Sequence, residues 1–230
     1  MKKLVVLSGA GISVESGLTT FRGDGGLWEG HRVEEVASIE AWEKDPQKVL
    51  RFYNQRRASL LEAVPNKAHQ ILADLTKHFH VHIITQNIDD LHERAGSRNV
   101  LHLHGEILKK RSCLNKHKLY PYDGDIALGD YAPDGGQFRP HIVWFGEAVP
   151  LLQEAAMLVQ KADIFVIIGT SLQVYPAASL LHYAPKESSI YCIDPNPVKL
   201  PQIPGIKSIP ATASQGMQEL SAILRADFGI

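Results

Sequence analysis

Short runs of β-branched and other apolar residues recur along the chain, and each stops abruptly at small or polar positions. They predict strands at Leu4–Leu7, Val81–Thr85, Val100–Leu103, Ile142–Phe145, Ile164–Ile168 and Ile190–Ile193. The run around Ile164 is almost wholly apolar, the pattern of a central parallel strand covered on both faces. Apolar positions at helical spacing predict helices over Lys67–Phe79, Leu151–Lys161, Ala177–Tyr183 and Gln215–Phe228. Strands alternating with helices mean an α/β protein with a parallel sheet. Two stretches break that rhythm. Residues 30–65 carry a helical pattern from Pro46 to Leu61 and no strand, so they read as an inserted helical module. Residues 107–140 are rich in Lys, Tyr, Pro, Gly and Asp with weak periodicity, too long for a plain loop in a compact domain.

Composition narrows the class without naming a function. The chain has 230 residues, 44% hydrophobic and 21% charged, so a sizeable core is affordable. A formal net charge of -1 gives no electrostatic reason to expect nucleic acid or membrane as a partner. Two cysteines, Cys113 and Cys192, cannot build a disulfide framework and fit a reducing compartment. The start, Met1 to Leu7, hints at a signal peptide, but Ser8-Gly9 cuts the apolar run short. A cytoplasmic protein is therefore expected, and a monomer.

In open α/β sheets ligands bind beyond the carboxyl ends of the strands. After the first strand comes Gly9-Ala10-Gly11, after the second Gln86-Asn87-Ile88-Asp89, after the third His104-Gly105-Glu106, and after the fifth Gly169-Thr170-Ser171. A strand, a tight glycine turn and a helix start are the usual means of aiming backbone N–H groups at phosphate. The dinucleotide fingerprint nevertheless fails, because Val14 stands where its third glycine belongs, and no Gly-Lys-Ser/Thr follows. His102 and His104, two apart, share one side of a strand that runs through both, and spacing alone leaves the general-base role open between them. Glu15 suits a helix N-terminus through the helix dipole.

The stretches "GAGISVESGLTTFRG", "TQNIDDLHERAG", "LHLHGE", "RPHIVWFGE" and "GTSLQVYPAA" occur in the order and at the spacing of the sirtuins, NAD-dependent protein-lysine deacylases, which the chain resembles over nearly its whole length. The resemblance implies a Rossmann-like domain made of residues 1–29, 66–106 and 141–230, and a small domain made of the two insertions, 30–65 and 107–140. It implies that Gly9, Ala10 and Gly11 approach the pyrophosphate of NAD, with Phe21 and Arg22 covering the cofactor. Gln86, Asn87 and Asp89 would line the nicotinamide and ribose pocket, and Gly169, Thr170 and Ser171 would bind phosphate and the adenosine ribose. His104 matches the family's general base, and an imidazole suits that task because its ordinary pKa lies near the working pH. Asn87 is the second residue assigned to catalysis. Val143, Trp144, Phe145 and Gly146 resemble the segment that pairs with an extended substrate peptide, Val143 and Phe145 forming an acyl-lysine channel.

Tyr53 and Arg56 lie three apart on a predicted helix and so share a face. The bare pattern by itself favours an ordinary amphipathic helix with a solvated arginine. The stretch resembles the sirtuin subgroup that removes succinyl and malonyl groups through a Tyr-x-x-Arg pair, and Ala37 matches the small residue that widens its acyl pocket. Arg57 should face about 100° away. Two features depart from the family. Of the two Cys-x-x-Cys pairs that hold a structural zinc, only Cys113 remains, so no metal is expected. Tyr120, Tyr122, Ile126, Leu128 and Tyr131 are expected to supply a small packed replacement. Cys192 occupies the place of an asparagine near the adenosine ribose.

The expected function is thus NAD-dependent deacylation of protein lysines, releasing nicotinamide and 2'-O-acyl-ADP-ribose, with desuccinylase and demalonylase capacity and room for deacetylation. The rivals are a protein ADP-ribosyltransferase and a non-catalytic NAD- or ADP-ribose-binding module.

Overall fold

The computed structural model describes residues 1–20, 27–28, 30–122, 124–196 and 205–229. Phe21 and Arg22 lie outside the described residues. Six parallel strands form the main sheet: β1 (Lys3–Ser8), β4 (His80–Thr85), β5 (Val100–His102), β9 (Ile164–Ile168), β10 (Ser189–Ile193) and β11 (Ile206–Ile209). Their order is β11-β10-β9-β1-β4-β5. The chain runs outward from β1 through β4 to β5, then returns to the other side of β1 and runs outward again. This reversal opens a crevice beyond the carboxyl ends of β1 and β9, where Ser8 pairs with Ile168.

Alternation along β1 explains why the sheet is covered twice. Leu4 and Val6 join one core with Ile83, Val166 and Ile193, beneath helices α4 (Lys67–Leu75) and α7 (Ala213–Phe228). Val5 and Leu7 join the opposite core with Phe165 and Ile167, beneath α6 (Leu152–Val159) and the 3₁₀ helix Ala177–Tyr183. Each such side chain, removed from water, stabilises the fold by roughly 1.5–3 kcal/mol before chain entropy is counted. Cys192 sits in the second core, where burial pushes its thiol up to about 11.

The remaining elements gather at the carboxyl end of the sheet. A two-residue strand β2 (Leu27–Trp28) pairs with β3 (His31–Arg32), so the stretch 30–65 is not free of strand as the sequence suggests. There follow α1 (Val33–Val36), α2 (Ile39–Lys44) and α3 (Pro46–Glu62), the last started by the Asp45 side chain accepting from the Lys48 amide and by Pro46 in its first turn. A short helix α5 (Leu91–Arg94) lies between β4 and β5. Residues 107–140 are not irregular: β6 (Gly105–Ser112), β7 (Leu119–Pro121) and β8 (Phe138–Ile142) form an antiparallel sheet in the order β7-β6-β8. The strand expected at Ile142–Phe145 therefore lies upstream, ending at Ile142.

The packing expected to replace the zinc is realised by part of the named set. Tyr122 and Ile126 are buried with Leu50 of α3, and Tyr120 stacks edge-on to Phe138 at 5.1 Å. Leu128 and Tyr131 are exposed instead. Arg57 turns toward this sheet as well, pairing with Asp125 at 2.9 Å and stacking on Tyr122. Among the described residues no group of three or more His, Cys, Asp or Glu side chains is arranged to hold a metal ion, and no helix is long and apolar enough to cross a membrane.

Candidate functional site

The crevice opens into a cleft of about 880 Å³, within the range of small-molecule and cofactor sites. Every sequence-predicted site residue among the described ones lines it: Gly9, Ala10, Gly11, Ala37, Tyr53, Arg56, Gln86, Asn87, Asp89, His104, Val143, Trp144, Phe145, Gly146, Gly169, Thr170 and Ser171. Cys192 does not, since its side chain faces the core below. Val36 and Ala37 carry the chain from α1 toward the cleft with little bulk, and Ala37 is buried.

The wall nearest the sheet is built from two loops in contact. The Gly9 amide donates to the Ile168 carbonyl at 3.0 Å and the Gly11 amide to the Gly169 carbonyl at 2.9 Å. Those two donors are spent on the neighbouring loop, and the glycines serve above all to let the loops touch. A Cβ on Gly11 would lie 2.7 Å from Gly169 Cα; one on Gly169, itself at φ +62°, would lie 2.3 Å from the Ile12 nitrogen. The 3₁₀ helix Ala10–Ser16 that follows is held at both ends. Asn66, the cap of α4, donates to the Ile12 carbonyl and the Ser16 hydroxyl. Glu15 accepts from the Ser214 amide at 2.8 Å and from Thr212, so the helix dipole it meets is that of α7.

Polar side chains on this wall bind one another. Ser13 donates to Asp89 at 3.0 Å and accepts from the Asn87 side-chain amide at 3.1 Å. Burial pushes the Asp89 carboxyl up, against the hydrogen bonds from the Leu91 amide and Ser13. Gln86 donates to the Thr170 hydroxyl at 3.0 Å, bridging the ends of β4 and β9. Ser13 thus joins the 3₁₀ helix Ala10–Ser16 to both Asn87 and Asp89, two segments far apart in the chain. Asp194, the residue just past the predicted strand Ile190–Ile193, also lines the cleft, as do Asn196 and Thr212, at positions that no motif in the sequence singles out.

His102, the last residue of β5, and His104 just beyond it both reach the loop that follows β4. His104 Nδ1 lies 3.0 Å from the Gln86 carbonyl, and His102 Nδ1 lies 3.1 Å from the next carbonyl, that of Asn87. A carbonyl only accepts, so Nδ1 of His104 carries the proton and the neutral ring keeps its lone pair on Nε2. Burial favours the neutral ring and holds the His104 pKa below the usual histidine range, against the Gln86 carbonyl, which pulls it up. Of the two, only His104 lines the cleft.

The opposite wall is aromatic and ionic. The Trp144 indole donates to the Tyr53 hydroxyl at 3.0 Å, and Tyr53 is fully buried. Arg139 lies 3.3 Å over the Trp144 ring and grips Glu147 through two bonds of 2.9 Å; Arg111 reaches the same carboxylate at 3.2 Å. Burial opposes the Glu147 charge, but Arg139 outweighs it and holds the carboxyl below the usual range. The amides of Val143 and Phe145 donate to the His104 and Ala37 carbonyls, which ties this segment to the sheet edge and to α1. Half-buried Arg56 stacks on Trp28 at 4.7 Å and donates to Thr19.

A polar, loop-built half joined to an apolar half fits an elongated dinucleotide meeting an apolar side chain. Comparison with known proteins agrees. The Sir2 family model matches residues 9–176. An NAD-dependent protein deacylase from Helicobacter pylori is 59% identical over 96% of this chain and 94% of its own length, and one from Bacteroides thetaiotaomicron is 53% identical over 97% and 98%. Among solved structures, a mutant Sir2 homologue bound to ADP-ribose is 39% identical with a TM-score of 0.90, covering 100% of this chain and 94% of that one. A Sir2 homologue bound to NAD is 40% identical with a TM-score of 0.88, covering 98% and 90%.

Proposed function

Because the chain belongs to the Sir2 family, we propose that it removes acyl groups from protein lysines at the expense of NAD. The observation that carries this reading is the convergence of all the described motif residues on one cleft, with His104 between the polar and the apolar halves. NAD, when bound, supplies a ribose carbon open to attack and nicotinamide as the leaving group. Gln86, Asn87 and Asp89 would orient the nicotinamide and ribose end, while Gly169, Thr170, Ser171 and the Gly9-Ala10-Gly11 turn would hold the phosphates and adenosine ribose. Phe21 and Arg22 would close over them. His104, neutral and with Nε2 unprotonated, would take a proton from a ribose hydroxyl. Val143, Trp144, Phe145 and Gly146 would border the channel in which acyl-lysine sheds water.

We read the acyl preference as acidic. Arg56 stands in the cleft wall with a guanidinium suited to a terminal carboxylate, and Ala37 leaves space beside Tyr53. Tyr53 already accepts from Trp144, so its hydroxyl proton remains to be donated. The division into a Rossmann-like domain and a small domain of residues 30–65 and 107–140 is supported by the core that Leu50 of α3 shares with Tyr122 and Ile126.

Steady-state kinetics on one lysine peptide carrying succinyl or acetyl, with NAD, tests both levels. His104→Ala should lower kcat roughly 10²–10⁴-fold for either acyl group. Arg56→Met should lower the succinyl-to-acetyl ratio of kcat/KM about tenfold or more, the worth of a charge-assisted hydrogen bond. An unchanged ratio would assign the pocket to a neutral acyl group. Nicotinamide release with the acyl group left on lysine and ADP-ribose transferred to protein would mark a transferase.

A further inference from the structure

His102 lies next to the catalytic machinery without entering the cleft. Its ring sits between two acceptors: the Asn87 carbonyl at 3.1 Å from Nδ1, and the Glu93 carboxylate at 2.8 Å from Nε2. Neither partner can donate, since a carbonyl has no proton and an ionised carboxylate none. A neutral imidazole has one N–H and would leave a lone pair facing one of them. Only the doubly protonated ring satisfies both. The Asn87 peptide that it holds carries a side chain already bonded to Ser13, which in turn bonds Asp89.

A second, smaller cavity of about 320 Å³ lies behind this arrangement, lined among others by Glu93, His102, Glu106, Lys109, His141 and Glu154. These titratable groups share the cavity with His102 from α5, β6, β8 and α6; Asp89 interacts with it from the cleft side, and the buried His92 of α5 interacts with it as a second imidazole. Lys109 is engaged by Glu106 at 2.7 Å. His141 is held neutral by burial, with a pKa near 4. Glu93 is therefore the carboxylate that acts directly on the ring.

We propose that His102 is a positioning residue: as an imidazolium clamped between Glu93 and the Asn87 carbonyl, it holds the 86–89 loop in the geometry that NAD turnover requires. The inference rests on the NAD-dependent reading of the cleft and deepens it, giving the first histidine of "HLH" a task distinct from that of His104. Burial works against the charge on His102, but the Glu93 carboxylate and the Asn87 carbonyl raise its pKa above the ordinary histidine value. Loss of the proton frees one of the two partners. The bond to the charged carboxylate is the stronger, so the Asn87 carbonyl is the one released.

The linkage has a definite sign. Activity requires His104 neutral, so it rises with pH through the depressed pKa of that ring; it requires His102 charged, so it falls as pH passes the raised pKa of this one. Two readouts test the proposal together: NMR titration of the His102 imidazole in the free protein, and the pH profile of kcat/KM for NAD with a saturating acyl-lysine peptide. In the wild type the imidazole should be protonated at neutral pH, and the alkaline limb of the profile should follow its titration. Glu93→Gln, a change at a half-exposed position that spares the fold, should move both midpoints down by about one pH unit, the lower end of the effect of an adjacent opposite charge. His102→Gln should remove the alkaline limb, leave the acid limb in place and raise KM for NAD roughly tenfold, the loss of one charge-assisted hydrogen bond. A neutral imidazole at neutral pH would overturn the proposal. So would a midpoint that moves in Glu93→Gln while the activity profile stays fixed. A chain whose His102 titrates as expected but which turns over NAD with no acyl peptide would overturn the deacylase reading instead.

Discussion

The two walls of the cleft reach rigidity by opposite routes. On the loop-built side, polar groups bind one another and two glycine turns interlock: Gly9 and Gly11 against Gly169, Gln86 against Thr170, Asn87 through Ser13 to Asp89. On the aromatic side, a half-buried carboxylate, Glu147, is shared by the buried Arg139 and Arg111, and Arg139 stacks on Trp144. The first arrangement depends on space, the second on charge. A site that needs backbone close to phosphate has no room for side chains between its loops. A wall that grips an apolar chain must fix its aromatic rings from behind, and ion pairs shielded from water do that firmly because breaking one strands a charge.

This contrast predicts where each wall fails. Glu147→Gln should be the most damaging, because two arginine side chains lose their counter-charge in a nearly closed site; a loss on the order of 3 kcal/mol is expected in chemical denaturation, with a raised KM for peptide and little change in NAD binding. An equally stable Glu147→Gln protein would mean that the pair is dispensable to the wall. Gly169→Ala should cost about 1–3 kcal/mol through its left-handed backbone and the collision with the Ile12 nitrogen. The calorimetric companion is NAD binding, which should weaken while peptide binding is spared; loss of both together would deny the separation of the walls.

The smallest effect is a pH dependence. Burial holds His69, in the core beside the nucleotide wall, and His141, on the peptide-side sheet, each neutral with a pKa of about 4, against an ordinary value of 6.5. Between those values the unfolded chain binds more protons than the folded one, so the stability they contribute is complete above pH 6.5 and is lost as pH falls toward 4. The melting temperature should fall through that window. His69→Gln should flatten the part of the decline that belongs to the parallel-sheet core; a curve identical to the wild type's would assign acid sensitivity elsewhere.

Much of the parallel sheet could be read from local pattern, because a strand buried on both faces must be apolar at every position. Ile164–Ile168 is recovered to the residue, and Leu4–Leu7 and Ile190–Ile193 to within one at either end. The antiparallel sheet was illegible for the converse reason. In β6, "GEILKKRS", charged and apolar residues mix because its faces meet an ion cluster, aromatic stacks and solvent by turns. β11, "IKSI", is a short edge strand whose apolar residues are too few to make a run. The displaced strand at 142–145 shows apolar residues serving another end: Trp144 is buried among aromatics and Phe145 stands at the cleft, so hydrophobicity there marks a wall rather than a strand.

The sequence by itself determined the α/β class, the family resemblance and the set of residues brought to the cleft, because strand ends and glycine turns are local features and ordered motifs keep their spacing. Tertiary structure alone decided that His102 bridges Glu93 and the Asn87 carbonyl, that Ser13 joins Asn87 to Asp89, and that Glu15 serves the helix of residues 213–228. Each of those depends on a hydrogen bond a few ångströms long between groups as much as about 200 residues apart, and no periodicity along the chain encodes such a distance.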